Sequence, residues 1–266
     1  MPDTQPDDLA IREPPVVLLP LAVLEGQTVP EPLAAYLAPA EVIVLGYHVL
    51  PEQTPTEQAS LQFEDRAREA VDDVAETFRG AGGDPETRVV FTHDRRQTID
   101  RVADEVGATA VLIPNPTGAI EEVLVPIRGS IDDGRLADLI ATLSTAGDAR
   151  VTLWGVATEG SEFDPERAVE RAAARLRDRG FDGARLATET SVTDAPLRDI
   201  VDRSAEVDVI AMREGAESIV GALLGDDAER VATGAVAPVL VLRDRPPVDA
   251  ATEPTHPGPD ADPPET

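Results

Sequence analysis

The chain reads as an α/β protein of two repeated, doubly wound parallel-sheet domains, the first cut short at its last helix and strand. Three observations predict this. Short β-branched runs alternate with helical stretches; the alternation passes along the chain twice; and matching runs lie about 100 residues apart, one ordinary domain length. The expected layout is a tail over 1–13, a first domain over 14–121, a second over 122–244 and a tail over 245–266.

In the first pass VVLLPLAV (16–23), EVIVLGYHV (41–49), TRVVFTH (87–93) and TAVLIP (109–114) are short and almost continuously apolar, the pattern of strands buried on both faces. The second pass repeats it with VLVPIRG (123–129), RVTLWGVA (150–157), ARLATETS (184–191), DVIAM (208–212) and PVLVLRD (238–244). Between them, DPERAVERAAARLRDRG has Asp164 as N-cap, Pro165 at the first helical position, an apolar stripe of Ala168, Ala172 and Leu176, and Gly180 as stop. Its counterpart EDRAREAVDDVAETFRG is expected to stop at Gly80. After the fourth strand the second pass has room for a helix over about 216–233 and a fifth strand, whereas the first runs from Pro114 through NPTGAIEE into Val123. The apolar edge of 238–244 must therefore pair with another chain, making a homodimer, or be covered by the N-terminal half. Both tails are Pro- and acid-rich with little to bury, the composition of disorder.

Charge narrows the function. There are 51 acidic against 23 basic residues, a net charge of −28, and every basic residue is Arg. Such a surface repels nucleic-acid phosphates and anionic lipid. Dense carboxylates keep a protein hydrated in molar salt, where the Debye length is about 3 Å, so the composition predicts a halophile's cytoplasm. A high-GC genome also favours Arg over Lys but leaves the acid excess unexplained. No apolar run approaches the roughly 20 residues of a membrane helix, and the N-terminus lacks the positive and apolar regions of a secretory signal. Without Cys or Lys there is no thiolate chemistry, P-loop or Schiff base, and no G-x-S-x-G elbow appears.

The segment AMREGAESIVGALLGDD (211–227) follows an apolar run with glycines, the arrangement by which free N–H groups and a helix dipole hold an anion. Across the crevice, Arg128-Gly129-Ser130 ends a strand before the helix IDDGRLADLIATL. Arg128 and that helix start suit an anion; equally, Ser130 or Asp132 caps the helix and Arg128 pairs with Asp132, Asp133 or Asp226. His93-Asp94-Arg95-Arg96 contains an acid–base pair, yet Asp94 is more simply a helix N-cap. His48 and His256 lack the companions of a metal site. Tyr47 and Trp154 read as core or interface residues.

VLVPIRGS, the strand VIAM and REGAESIVGALLGDDAERVATGAVAPVLVLRD together resemble a universal stress protein domain. The resemblance spans roughly 15–244 as a tandem pair, strongly in the second copy. It implies a five-stranded parallel sheet paired through its last strand and, in some members, an ATP site. There an aspartate ends the first strand, and G-x-x-G, nine residues, then G-S or G-T hold the phosphates. Here Arg128 stands at the aspartate position, Met212 three positions before Gly215, and Asp226 after Gly225; Gly129, Ser130, Gly215 and Gly225 remain. In the first copy the aspartate position holds Ala22 and the loop is missing. A carboxylate beside a polyphosphate costs several kcal/mol unless protonated or bridged by Mg²⁺. The implied function is a non-catalytic stress-response or regulatory binding protein with degenerate nucleotide sites and no cofactor. The alternatives are an ATP- or AMP-binding member using the second copy with Mg²⁺ and, last, a nucleotide hydrolase or transferase.

Overall fold

The computed structural model describes residues 9–213 and 237–243. All nine runs read as strands are strands: β1 (Val16–Leu21), β2 (Glu41–Val49), β3 (Glu86–Thr92), β4 (Ala110–Ile113), β5 (Glu122–Ile127), β6 (Arg150–Ala157), β7 (Leu186–Val192), β8 (Val209–Arg213) and β9 (Val239–Leu242). Between them lie α1 (Glu31–Leu37), α2 (Thr56–Gly80), α3 (Arg95–Glu105), α4 (Asp133–Leu143), α5 (Pro165–Asp178) and α6 (Pro196–Arg203). The helix expected over 216–233 lies outside the described residues.

Instead of two sheets there is one, mixed sheet in the order β3-β2-β1-β4-β9-β8-β5-β6-β7. The joint is β9, parallel to β8 and antiparallel to β4, with Ala110 opposite Leu242 and Ile113 opposite Val239. The physical reason is visible in the chain: no helix separates β4 from β5. The first half thus has no fifth strand of its own, and the free side of β4 is an apolar edge that needs covering. Of the two expectations for 238–244, cover by the N-terminal half is the one observed.

The halves share more than strand order. Leu21 pairs with Gly46 and Ile127 with Gly155; Val17 pairs with Ala110 and Val123 with Val209. The register therefore matches Gly46 to Gly155, Thr109 to Asp208 and Pro20 to Pro126. Each of these prolines stands in a central strand, where proline is rare because it cannot donate to the ladder. Both lie past the point where β4 or β8 stops pairing: β1 meets β4 only at Val17 and Leu18, and β5 meets β8 only at Val123 and Leu124. Beyond those pairs β1 is no longer paired with β4, nor β5 with β8.

One face of the sheet carries a single core shared by both halves, built from Leu33 and Tyr36 of α1, Val71 and Phe78 of α2, Leu136 and Ile140 of α4, and Ala168 and Leu176 of α5. The opposite face is split. Ile99 and Val102 of α3 cover Leu18, Ile43 and Leu45, while Ile200 of α6 packs with Leu124, Trp154 and Ile210.

Local signals explain the helix ends. The Asp164 carboxylate accepts from the Arg167 N–H, Asp94 from Gln97 N–H, and Asp132 from Gly134 and Arg135 N–H, so three helices start on the caps expected of Asp. Gly180 ends α5 in a left-handed turn, φ +90°. In α2 that role falls on Gly82, φ +90°, and not on Gly80, which is still helical. Residues 9–13, expected to belong to a tail, are docked: Leu9 and Ile11 pack on the shared core, and Ala10 N–H donates to the Arg179 carbonyl. Their short apolar alternation was enough to bury.

Candidate functional site

In open α/β sheets a ligand crevice forms outside the carboxyl ends of the strands, where strand order reverses. This sheet has two such places, beside β1 and beside β5. In the first, β1 ends at Leu21, and the Ala22 N–H donates to Gln27 Oε1 at 2.7 Å. Val23 then folds inward and is buried in a 3-10 turn. The strand-end donor is thus taken by a side chain, and Ala22 itself brings no carboxylate.

At the second, Gly129 has φ +89°, the left-handed geometry that lets the chain turn sharply after β5. Arg128 and Ser130 on either side of it are exposed. Asp132, not Ser130, caps α4, with Oδ1 3.0 Å from both the Gly134 and the Arg135 nitrogen. Asp133 is held by Arg171 at 3.2 Å. The expected pairing of Arg128 with Asp132 or Asp133 is therefore not formed: one carboxylate is spent on the helix N–H groups and the other on a different guanidinium. Met212 is buried in one cluster with Trp154 and Ile210. Gly215, Gly225 and Asp226 lie outside the described residues, so Arg128, Gly129 and Ser130 are the members of the set that the structure places.

The remaining candidates are structural. The His93 ring lies 3.3 Å from the Leu50 carbonyl, Arg95 sits over the Tyr47 ring at 5.7 Å, and Arg96 reaches Asp100 at 4.0 Å. Burial raises the Tyr47 pKa above its usual value, partly offset by Arg95. His48 packs against the rings of Phe63 and Phe91. Trp154 Nε1 donates to Ser191 Oγ at 3.0 Å with Arg203 over its ring at 4.5 Å. His256 lies outside the described residues. Among the described residues no cluster of three metal-ligating side chains occurs, and no helix is long and apolar enough to cross a membrane.

Sequence reasoning missed a buried charged group. Arg135, Asp138 and Arg179 are 4%, 3% and 2% exposed. Arg179 Nε donates to Asp138 Oδ1. Arg135 donates to the Arg243 carbonyl at 3.1 Å, and to the Ala108 carbonyl and Thr109 Oγ1 at 3.4 Å. The signal was present: LADLIATL is apolar around almost the whole helix, so α4 is buried all round and its charges must be paired inside.

The chain matches no protein-family model and no curated protein in sequence. In structure it is similar to a universal stress protein from Archaeoglobus fulgidus DSM 4304, with 16% identity and a TM-score of 0.57, covering 86% of this chain and 96% of that one. A protein of unknown function from Pseudomonas aeruginosa PAO1 aligns at 17% identity and TM-score 0.44, covering 90% and 95%. The first likeness defines the class of fold: an α/β sheet of the universal stress protein type, extending over both halves.

Proposed function

We propose that this chain is a tandem, non-catalytic stress-response or regulatory binding protein of the universal stress protein type, with both nucleotide sites degenerate. The observation that carries the reading is the state of the two strand ends. At the first, Ala22 is closed off by Gln27. At the second, the exposed Arg128 replaces a nucleoside-binding carboxylate, while Asp132 occupies the α4 N–H groups that an anion would need. Nothing among the described residues gathers a base, a nucleophile and an electrophile, which ranks a nucleotide hydrolase or transferase last. The acid excess and the lack of Lys fit a halophile's cytoplasm. Pairing of β9 with β4 inside one chain takes the role that a homodimer contact through 238–244 would have.

The second reading is ATP or AMP binding with Mg²⁺ by Gly129, Ser130, Gly215 and Gly225, the metal bridging Asp226 to phosphate. The left-handed turn at Gly129, with Ser130 exposed beside it, favours it. Calorimetric titration of the full chain with ATP, AMP and inorganic phosphate, with and without Mg²⁺ in high salt, separates the two. The first reading expects no heat at millimolar ligand. Saturable heat that Ser130→Ala weakens at least tenfold establishes the second.

A further inference from the structure

Residues 9–13 leave the first half and cross onto the second. Val16 opens β1, a central strand of the first half, and Pro14-Pro15 immediately before it stiffens the chain, since each proline fixes its own φ. The segment ahead of the prolines alternates: Leu9, Ile11 and Glu13 are half-buried, and Ala10 and Arg12 exposed, the period of an extended chain. It lies on α4 and the end of α5. Ala10 N–H donates to the Arg179 carbonyl at 3.1 Å, Arg12 N–H to Asp138 Oδ1 at 3.1 Å and Glu13 N–H to Asp138 Oδ2 at 3.3 Å. The Glu13 carboxylate stands 3.6 Å from Arg135 Nε.

These contacts answer a cost. A carboxylate as buried as Asp138 needs its oxygens filled, because an unsatisfied buried charge is strongly destabilising. Arg179 fills part of one oxygen, and among the described residues the other hydrogen bonds to the carboxylate come from the two consecutive backbone N–H groups of 12 and 13. The second half has therefore built a charged receptor that is complete only when an extended backbone lies on it. Among the described residues, the matched turns carry this guanidinium in the second half and not in the first. Arg179 and Phe181 N–H both donate to the Leu176 carbonyl, as Ala81 and Gly83 N–H do to Phe78, so Ala81 stands in the first half where Arg179 stands in the second. The same receptor reaches back, because Arg135 holds the carbonyl of Ala108 and the hydroxyl of Thr109 at the start of β4.

We propose that residues 9–13 are an intramolecular strap, that Asp138, Arg179 and Arg135 are its receptor for extended backbone, and that the docked strap couples the two halves into one cooperative unit. The assignment does not depend on the nucleotide reading. Hydrogen exchange followed by mass spectrometry tests it on the full chain. Asp138→Asn is expected to raise exchange at least tenfold in 10–13 and also in β1 and α4, whereas Glu13→Gln, which keeps the backbone donors, leaves 10–13 protected. A chain lacking 1–13 is expected to show the same loss in β1 and α4. A synthetic peptide of residues 6–15, PDDLAIREPP, at millimolar concentration is expected to restore protection to it, and not to the same chain carrying Asp138→Asn. Exchange that rises in 10–13 alone overturns the coupling. A peptide without effect on the folded, shortened chain overturns the receptor. If the shortened chain does not fold, Asp138→Asn in the full chain decides the coupling, and Asp138→Asn against Glu13→Gln at 10–13 decides the receptor.

Discussion

The two halves use one strand order and one register, yet at matched positions they solve the same local problem with different residues. Where helix crowds strand, both place glycine. A Cβ on Gly155 would lie 2.6 Å from the carbonyl oxygen of Pro165, a backbone atom that cannot rotate away; on Gly46 it would meet Val71 Cγ2, a side-chain methyl. Where the chain enters its first strand, Thr109 Oγ1 accepts the Val16 N–H at 3.2 Å, while Asp208 Oδ2 accepts from both Glu121 and Glu122 at 2.8 and 2.9 Å. Where the second helix ends, the first half has Ala81 at the position that Arg179 takes in the second. The second half relies more on charge and fixed backbone, and the first on neutral and adjustable groups. The same architecture thus tolerates change differently on its two sides.

Substitutions can break that comparison. Arg179→Ala makes the second half resemble the first, but it leaves Asp138 buried with one fewer donor; breaking a buried pair costs about 3–5 kcal/mol. Guanidinium-independent urea unfolding should show the loss, and a change under about 1 kcal/mol would mean that Asp138 finds a new partner or water. Gly155→Ala comes next, at about 3 kcal/mol, against about 1–2 for Gly46→Ala, since overpacking against backbone has no rotamer escape. Equal urea midpoints for these two variants would remove the asymmetry. Asp208→Ala is expected to cost about 2 kcal/mol and Thr109→Val about 1, the difference between charge-assisted and neutral hydrogen bonds.

The smallest effect concerns Tyr36, whose hydroxyl is buried without a hydrogen-bond partner among the described residues and whose pKa burial pushes far above 10.0. The folded chain keeps that proton while the unfolded chain releases it near pH 10, so this contribution is whole below pH 10 and declines above it. Tyr36→Phe should be neutral to about 1 kcal/mol stabilising at pH 7 and should flatten the alkaline fall in stability. A parallel decline in both chains between pH 9 and 11 would point to other groups.

Much of this fold was legible in the residues. Eight of the nine strands follow from apolar runs, whereas β7, LATETSV, is mostly exposed at the sheet edge and not buried on both faces as expected; Asp94, Asp132 and Asp164 cap the helices that their sequence neighbours suggest, because that signal is local. The single sheet was not, since the pairing of β4 with β9 is decided by which edges remain free after each half has folded. The charges of α4 are hard to read because Arg and Asp are ordinarily surface residues, although the apolar residues around Arg135 and Asp138 already required burial. Of the candidate site, Arg128, Gly129 and Ser130 follow the end of β5, while Gly215, Gly225 and Asp226 lie outside the described residues. What surrounds Arg128 depended on partners chosen in three dimensions: Asp132 went to the helix and Asp133 to Arg171.

The position of β9 also sets an order of events during synthesis. Residue 110 waits for residue 242, and until that stretch has been made β4 presents an open side to every other chain nearby. A contact so distant in sequence carries a loop-closure penalty and slows folding. The ribosome-bound chain therefore passes through a long interval in which its central seam is sticky, and the dense negative charge distributed over the finished surface is already present to keep such neighbours apart.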